Sequence, residues 1–265
     1  MKKFQFWKNF VVSKTSKNKR IKIAIIPARG GSKSIPRKNL QNLIGVPLIG
    51  YSIDSALRSN LIDEVYVSTE DSEIAKISRS FGAKVIIRPD AMASDTSRDD
   101  ELLSHAIEYE FSKLSNENLV IFLRPSHPLR NPETINKAIE LFESNSGYDS
   151  LRSMKISSEI PYKTWRIGND GSAVPVIERT DIGIIDPSNA PRQQLPQTYY
   201  QDGYVDIFPF KTITNYRNTM GSKILPFVIN EFSHDIDTFQ DLELISNKLE
   251  NFPWPSWFRK PSQDL

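Results

Sequence analysis

The sequence predicts an α/β domain built on a mostly parallel, doubly wound sheet that carries a small inserted β-rich arm. Three observations predict it. Residues 21–26 (IKIAII) are a short β-branched run suited to a strand covered on both faces. After it, strand-like and helix-like stretches alternate as far as residue 143, as repeated βαβ units do. Past residue 150 that alternation gives way to short segments joined by turn residues and prolines.

In chain order, the first strand runs into a glycine-rich loop, and residues 47–59 (PLIGYSIDSALRS) then space their apolar side chains as a helix does. Residues 64–68 (EVYVS) read as the next strand. Residues 71–81 read as a helix stopped by Gly82 in the C-terminal capping position, followed by a short strand at 84–87. A helix near 99–112, a buried strand at 119–123 and a helix at 132–143 continue the pattern. Residues 155–177 hold Gly168-Asn169-Asp170-Gly171 between short alternating segments, a hairpin signal. Pro175, Pro187, Pro191 and Pro196 make the rest irregular, so 150–200 reads as the inserted arm, the alternative being an ordinary surface excursion. Residues 204–208 return to the sheet, 222–229 add an edge segment, and 241–249 form a closing helix. The expected organisation is an extension at 1–20, a main domain at 21–250 and a tail at 251–265.

A chain of 265 residues can bury one substantial core. With no Cys, disulfides and thiolate–zinc sites are excluded, which suits a reducing cytoplasm. The first twenty residues contain Lys2, Lys3, Lys8, Lys14, Lys17, Lys19 and Arg20 and no acid; removing these seven charges from the net +2 leaves −5 for the remainder. A mildly acidic domain argues against general nucleic-acid binding. The extension lacks the uninterrupted apolar region of a signal peptide, and no apolar run is long enough to span a membrane. Its Phe4, Phe6, Trp7 and Phe10 leave two readings, a helix that contacts a membrane surface or partner, and a frayed extension.

The loop after the first strand carries the chemistry. In an α/β sheet such a loop lies at the carboxyl edge, where ligands bind. Gly30 and Gly31 let backbone N–H groups turn toward an anion, and Arg29, Lys33, Arg37 and Lys38 supply four cations within ten residues. This composition suits a polyphosphate. It is not a P-loop, because Ser32 separates Gly31 from Lys33, and it is not G-x-G-x-x-G. Asn39 has an amide that can read a base edge. Arg88 and Arg124 each follow a strand and reach the same edge. Near the end of the chain, Asp235 and Asp237 stand two apart, so an extended backbone would aim both carboxylates at one hard cation such as Mg²⁺. The plainer reading is that Asp237 or Thr238 caps the last helix.

Four segments in this order, IPARGGSKSIPRKN (26–39), RPDAMASDT (88–96), LRPSHPLR (123–130) and DIDTFQDL (235–242), resemble the motifs of the CMP-acylneuraminate cytidylyltransferases, including CMP-legionaminic and pseudaminic acid synthetase-like members. The resemblance implies a Rossmann-like fold of the nucleotide-diphospho-sugar transferase type. It implies transfer of CMP from CTP to an acidic nine-carbon sugar with release of pyrophosphate. Arg29, Lys33 and Lys38 would act at the reacting phosphates, and Arg29, Gly30, Gly31, Ser32, Lys33, Asn39, Arg88 and Ser97 would bind the nucleotide. Arg124, Lys163, Arg192 and Gln193 would hold the sugar, with Arg192 and Lys163 on its carboxylate. Asp235 and Asp237 would hold Mg²⁺, and the arm would reach across a homodimer. Tyr199, Tyr200 and Tyr204 are candidates for apolar walls. The chain departs from the family pattern at Ser34, Asp99, Arg124, His127 and Asp206. Of these, His127 is expected to be structural. Two rival readings follow: a nucleotidyltransferase for another acidic sugar or another nucleotide, and a catalytically silent binding protein of the same fold.

Overall fold

The computed structural model describes residues 20–94 and 97–251; the expectations for residues 1–19, Asp95, Thr96 and the tail past 251 lie outside them. The elements are, in order, β1 (Lys22–Pro27), β2 (Asn42–Leu43), β3 (Val46–Pro47), α1 (Leu48–Arg58), β4 (Glu64–Thr69), α2 (Ser72–Ser80), β5 (Lys84–Ile87), α3 (Asp99–Tyr109) and β6 (Leu119–Phe122). They continue with α4 (Pro132–Ser144), β7 (Ser150–Ile156), β8 (Trp165–Ile167), β9 (Ala173–Pro175), β10 (Tyr199–Pro209), α5 (Phe210–Tyr216), β11 (Ile224–Val228) and α6 (Phe239–Asn251).

Seven strands form one sheet in the order β11-β7-β10-β6-β1-β4-β5. β1 pairs in parallel with both β4 and β6, β4 with β5, and β7 with β11, while β10 runs antiparallel between β6 and β7. The sheet is therefore mostly parallel, as the βαβ alternation predicts.

Alternate side chains of a strand face opposite sides of its sheet, and here both sides are dry. In β1, Ala24 and Ile26 join one apolar cluster with Ile49 and Ile53 of α1, Ile74 of α2 and Ile135 and Ile139 of α4. Ile23 and Ile25 join the other, with Leu103 and Ala106 of α3 and Phe210 and Ile213 of α5. Helices thus cover both faces, and the β-branched run is the middle layer. Local signals end the helices where the sequence places them. Asp71 caps α2 by accepting from the amides of Glu73 and Ile74, and Asn131 caps α4 ahead of Pro132. Gly82 takes the left-handed φ of 93° that a chain-reversing cap requires.

A third apolar cluster matters most for the site. Ile35 of the first loop, Leu43, Val46, Leu48 and Tyr51 pack with Ile236, Ile245 and Leu249. Ile236 is fully buried, so the segment 235–237 is pinned by its middle residue against the first loop, about two hundred residues away in sequence.

The insertion is shorter than the expected 150–200. Ser150–Ile156 is β7, inside the sheet between β10 and β11, and β10 already begins at Tyr199. The excursion itself contains the expected hairpin: β8 pairs with β9, and Gly168 N donates to Ser172 O at 2.8 Å. It exposes Trp165, Ile167, Ile182 and Ile185.

Candidate active site

The carboxyl ends of β1, β4, β5 and β6 meet at a cleft of about 630 Å³. Its walls bring together Arg29, Gly31, Ser32, Lys33, Lys38, Asn39, Arg88, Ser97, Arg124, Asp235 and Asp237. These come from four separate stretches of sequence, and all but Ser97 lie within the four motifs.

Within the first loop the roles divide. Arg29 reaches across to donate from Nη1 to Ser94 O at 3.0 Å, tying the loop to the segment before α3. Asn39 is buried and donates from Nδ2 to Arg29 O at 2.9 Å, so one of its amide hydrogens shapes the loop. Lys38 donates from Nζ to Ile236 O at 2.9 Å and to Asp237 Oδ1 at 3.1 Å. One cation thus clasps the carboxylate loop to the phosphate-type loop.

Two expectations for this loop need correction. Gly30 does not offer its amide to the cleft, because Gly30 N donates to Glu70 Oε1 at 2.7 Å; its small size matters instead, since a Cβ there would stand 2.6 Å from Asp71 Oδ2. Arg37, counted among the loop's four cations, is turned to acids instead: its Nη2 is ion-paired with Asp71 at 3.1 Å and Glu73 at 2.9 Å.

Glu70 is the functional residue that sequence reasoning missed. Its second oxygen accepts from Nε and Nη2 of Arg88, both at 3.1 Å. The pair is nearly dry, with side-chain exposures of 3% for Arg88 and 15% for Glu70. Breaking such a pair by removing one partner costs on the order of 3–5 kcal/mol. One carboxylate therefore sets both the first loop and Arg88. The available signal was an acid immediately after β4, at the edge where ligands bind.

Arg124 does not present a bare cation to the cleft. Its Nη2 donates to Asp99 Oδ2 at 2.8 Å and its Nη1 to Asp206 Oδ2 at 2.9 Å, and Arg152 Nε bonds the other Asp206 oxygen at 3.2 Å. Burial would lower the Arg124 pKa, but Asp206 and Asp99 outweigh it and the net shift is upward. The loop that carries Arg124 is held from beneath by the fully buried Arg130, which donates to Arg124 O, Tyr204 O and Ser52 Oγ. Burial lowers the Arg130 guanidinium to about 10.

Asp235 lies half-buried on the cleft floor. Burial, opposed by a bond from the Ser126 hydroxyl and reinforced by nearby Asp237, pushes its carboxyl up. Its Oδ1 is buried and has no hydrogen-bond partner. An uncompensated buried carboxylate oxygen beside the phosphate-type loop fits a cation ligand. Among the described residues no three His, Cys, Asp or Glu side chains converge on one point, so substrate oxygens and water would complete any shell. Asp237 is exposed and does not cap α6. Thr238 does: Asp241 N donates to Thr238 Oγ1 at 3.2 Å and Thr238 N to Asp241 Oδ2 at 2.7 Å, a reciprocal capping box.

The remaining expectations separate. Lys163, Arg192 and Gln193 lie in the insertion and do not line this chain's cleft. Lys163 Nζ instead donates to Ser188 O and Ala190 O, at 2.9 and 3.0 Å. Tyr199 and Tyr200 are half-exposed on β10. Tyr204 is no pocket wall: it is fully buried and its hydroxyl is bonded to Glu231 and to Asn131 N. His127 is buried, and burial followed by the Arg130 charge holds its pKa well below the ordinary value.

Comparison with known proteins agrees with this geometry. The profile of a family described as cytidylyltransferase matches residues 23–166. The N-acylneuraminate cytidylyltransferase of Escherichia coli is 30% identical over 223 residues, covering 84% of this chain and 50% of that protein. The pseudaminic acid cytidylyltransferase of Campylobacter jejuni is 31% identical over 225 residues, covering 83% of this chain and 93% of that protein. The chain thus spans about half the length of the first relative and nearly all of the second. A solved CMP:2-keto-3-deoxy-manno-octonic acid synthetase complexed with CTP shares the fold, with a TM-score of 0.66, 18% identity, and coverage of 87% of this chain and 98% of that one.

Proposed function

The chain belongs to the cytidylyltransferase family, and on that premise we propose that its cleft transfers CMP from CTP to the anomeric hydroxyl of a sialic-acid-like nine-carbon 2-keto-3-deoxy acid. The hydroxyl oxygen bonds to the α-phosphorus, the bond to the β-phosphate oxygen breaks, pyrophosphate leaves, and the hydroxyl proton passes to solvent. The observation that carries this reading is the convergence of Arg29, Lys33 and Lys38 with Asp235 and Asp237 in one cleft. Charge builds on phosphate oxygens in such a transfer, and preorganised cations stabilise it.

Arg29, Lys33, Ser32 and the Gly31 backbone would hold the triphosphate, with Lys38 against the departing phosphates. Asn39, Arg88 and Ser97 would hold the nucleoside. Asp235 and Asp237 would hold Mg²⁺, which when bound neutralises phosphate charge. Lys38 bonds Asp237 in the protein alone, so substrate phosphates arriving beside both groups compete for that contact.

Lys163, Arg192 and Gln193 would act on the acceptor carboxylate of a second subunit, which the insertion would reach in a homodimer. The exposed apolar side chains of the insertion, Trp165, Ile167, Ile182 and Ile185, support this. Among the described residues no helix is long and apolar enough to cross a membrane, which suits a cytoplasmic enzyme. One observation favours a second reading in which the acceptor or nucleotide differs: Arg124 is clamped between Asp99 and Asp206, so the wall there differs in charge from the family pattern.

Pyrophosphate release measured with Mg²⁺, CTP and a panel of eight- and nine-carbon 2-keto-3-deoxy acids tests the proposal. Release with a nine-carbon acid supports it. Release with only the eight-carbon acid supports the second reading, and no release with any acceptor refutes the proposal.

A further inference from the structure

The ammonium of Lys38 rests on oxygens of the kind a hard cation takes. Its Nζ donates to Ile236 O at 2.9 Å and to Asp237 Oδ1 at 3.1 Å, one backbone carbonyl and one carboxylate, both of them donor types that suit Mg²⁺. Burial pushes the neighbouring Asp235 carboxyl up, and the Lys38 charge works against that shift. One ammonium is thus counter-ion to both carboxylates.

These oxygens do not depend on the lysine for their position. Ile236 N donates to Ser126 O at 2.9 Å, and the Ile236 side chain is fully buried in the third apolar cluster. Asp237 N donates to Asp241 Oδ2 at 3.1 Å. The backbone around the contact is held by other bonds, which leaves the Asp237 side chain and the flexible four-carbon stem of Lys38 free to move. Lys38 lines the cleft wall with Arg29, Ser32 and Lys33, where a triphosphate would arrive. The contact is open to an incoming anion, because the Asp237 side chain is 69% exposed.

We propose that Lys38 is a stand-in cation: with no nucleotide bound, its ammonium occupies the oxygens of Ile236 and Asp237 and keeps a divalent cation out, and a polyphosphate opens the site by drawing the ammonium to its own oxygens. Positive charges a few ångströms apart repel, so the ammonium and a divalent cation exclude each other. Phosphates that take the lysine also leave Asp237 without its counter-ion beside new negative charge, which is the condition for taking up Mg²⁺. Metal therefore enters after the nucleotide or together with it. The inference rests on the proposed nucleotide and cation of this cleft and adds the order in which they bind.

The test is nuclear magnetic resonance of the full chain labelled with ¹³C at lysine Cε, the Lys38 signal being assigned by its loss in Lys38→Arg. The signal should stay in place when Mg²⁺ alone is added and shift when CTP is added with a chelator. A shift with Mg²⁺ alone, or no shift with CTP, overturns the proposal. Mn²⁺ titration without nucleotide, followed by electron paramagnetic resonance, is the second arm. Lys38→Gln should bind Mn²⁺ about tenfold tighter than the wild-type protein or more, the scale on which one charge at this range acts, and the gain should vanish when Asp237→Asn is added. Equal or weaker binding in a folded Lys38→Gln protein, or a gain that survives Asp237→Asn, also overturns it. Pyrophosphate release by the wild-type protein decides the proposed reaction separately: release together with an overturning result refutes the stand-in role alone, and without release the lysine signal still reports on Lys38.

Discussion

The Arg124 guanidinium closes on the buried Asp206 carboxylate at 2.9 Å, and through its other nitrogen it holds Asp99 at the mouth of α3. Three positions that depart from the family pattern separately are therefore one structure: Asp99, Arg124 and Asp206 compensate each other, with Arg152 completing the charge balance. Coupling follows. Arg124→Gln should destabilise the protein by about 1–3 kcal/mol, the cost of stranding a buried charged acceptor. Asp206→Asn introduced into that variant should cost clearly less than it does alone. Denaturant unfolding of the two single variants and the double variant measures this, and strictly additive losses would show that the contact is incidental.

Glu70 is expected to act through Arg88 and Gly30. Glu70→Gln keeps the size but lacks the charge that holds Arg88, a contact of about 1.5–3 kcal/mol for a charged hydrogen bond. CTP affinity measured by calorimetry should fall by roughly tenfold or more, and the sugar KM should change little. An unchanged CTP affinity in a folded variant removes Glu70 from the site.

Asp241 ties His234 to the start of α6. Burial works to raise its carboxyl pKa, but the hydrogen bonds from His234 and from Thr238 outweigh burial and bring it well below the usual range. A depressed folded-state value means that the stabilisation is full above the unfolded value of about 4 and is lost as pH falls toward the folded one. Asp241→Ala should thus cost about 1 kcal/mol near neutrality, as loss of a helix cap does. Melting temperatures of both proteins should converge below about pH 4. A gap that persists or widens in acid would assign the effect to packing.

Asp237→Asn separates metal binding from capping. Thr238 and Asp241 already cap α6, so the unfolding midpoint should not move. Turnover should fall by about 10²–10³, the effect of removing one preorganised electrostatic contact. Normal turnover with normal Mg²⁺ dependence would place the cation elsewhere.

The strands and helices were legible because their signals are local: the buried run at β1, Asp71 and Gly82 bounding α2, and Pro132 opening α4 each act within a turn or two. The short α5 was not, since FKTITNY follows β10 directly and three of its residues, Thr212, Ile213 and Thr214, are β-branched. Cleft residues carried on motifs were legible for the same reason. Glu70 was not, because a lone acid after a strand has no spacing signal, and its partner Arg88 follows the next strand. Nor could spacing reveal that residues 99, 124 and 206 meet, because only the sheet order brings β6 beside β10. Gly30 was read into the anion cradle and Arg37 was counted among the cations beside it. Neighbouring acids decide otherwise, and those acids come from the end of β4 and the start of α2.

The central claim is that this cleft activates a sugar acid with a cytidine nucleotide, and competition among nucleotides tests it most directly. CTP, UTP, GTP and ATP would be offered together at equal concentration with Mg²⁺ and the best acceptor, and the nucleotide-sugar products resolved by mass spectrometry. The account predicts a CMP-sugar as the dominant product, with pyrophosphate in equal amount. A dominant product carrying any other base, or cleavage of CTP without a sugar adduct, would contradict it.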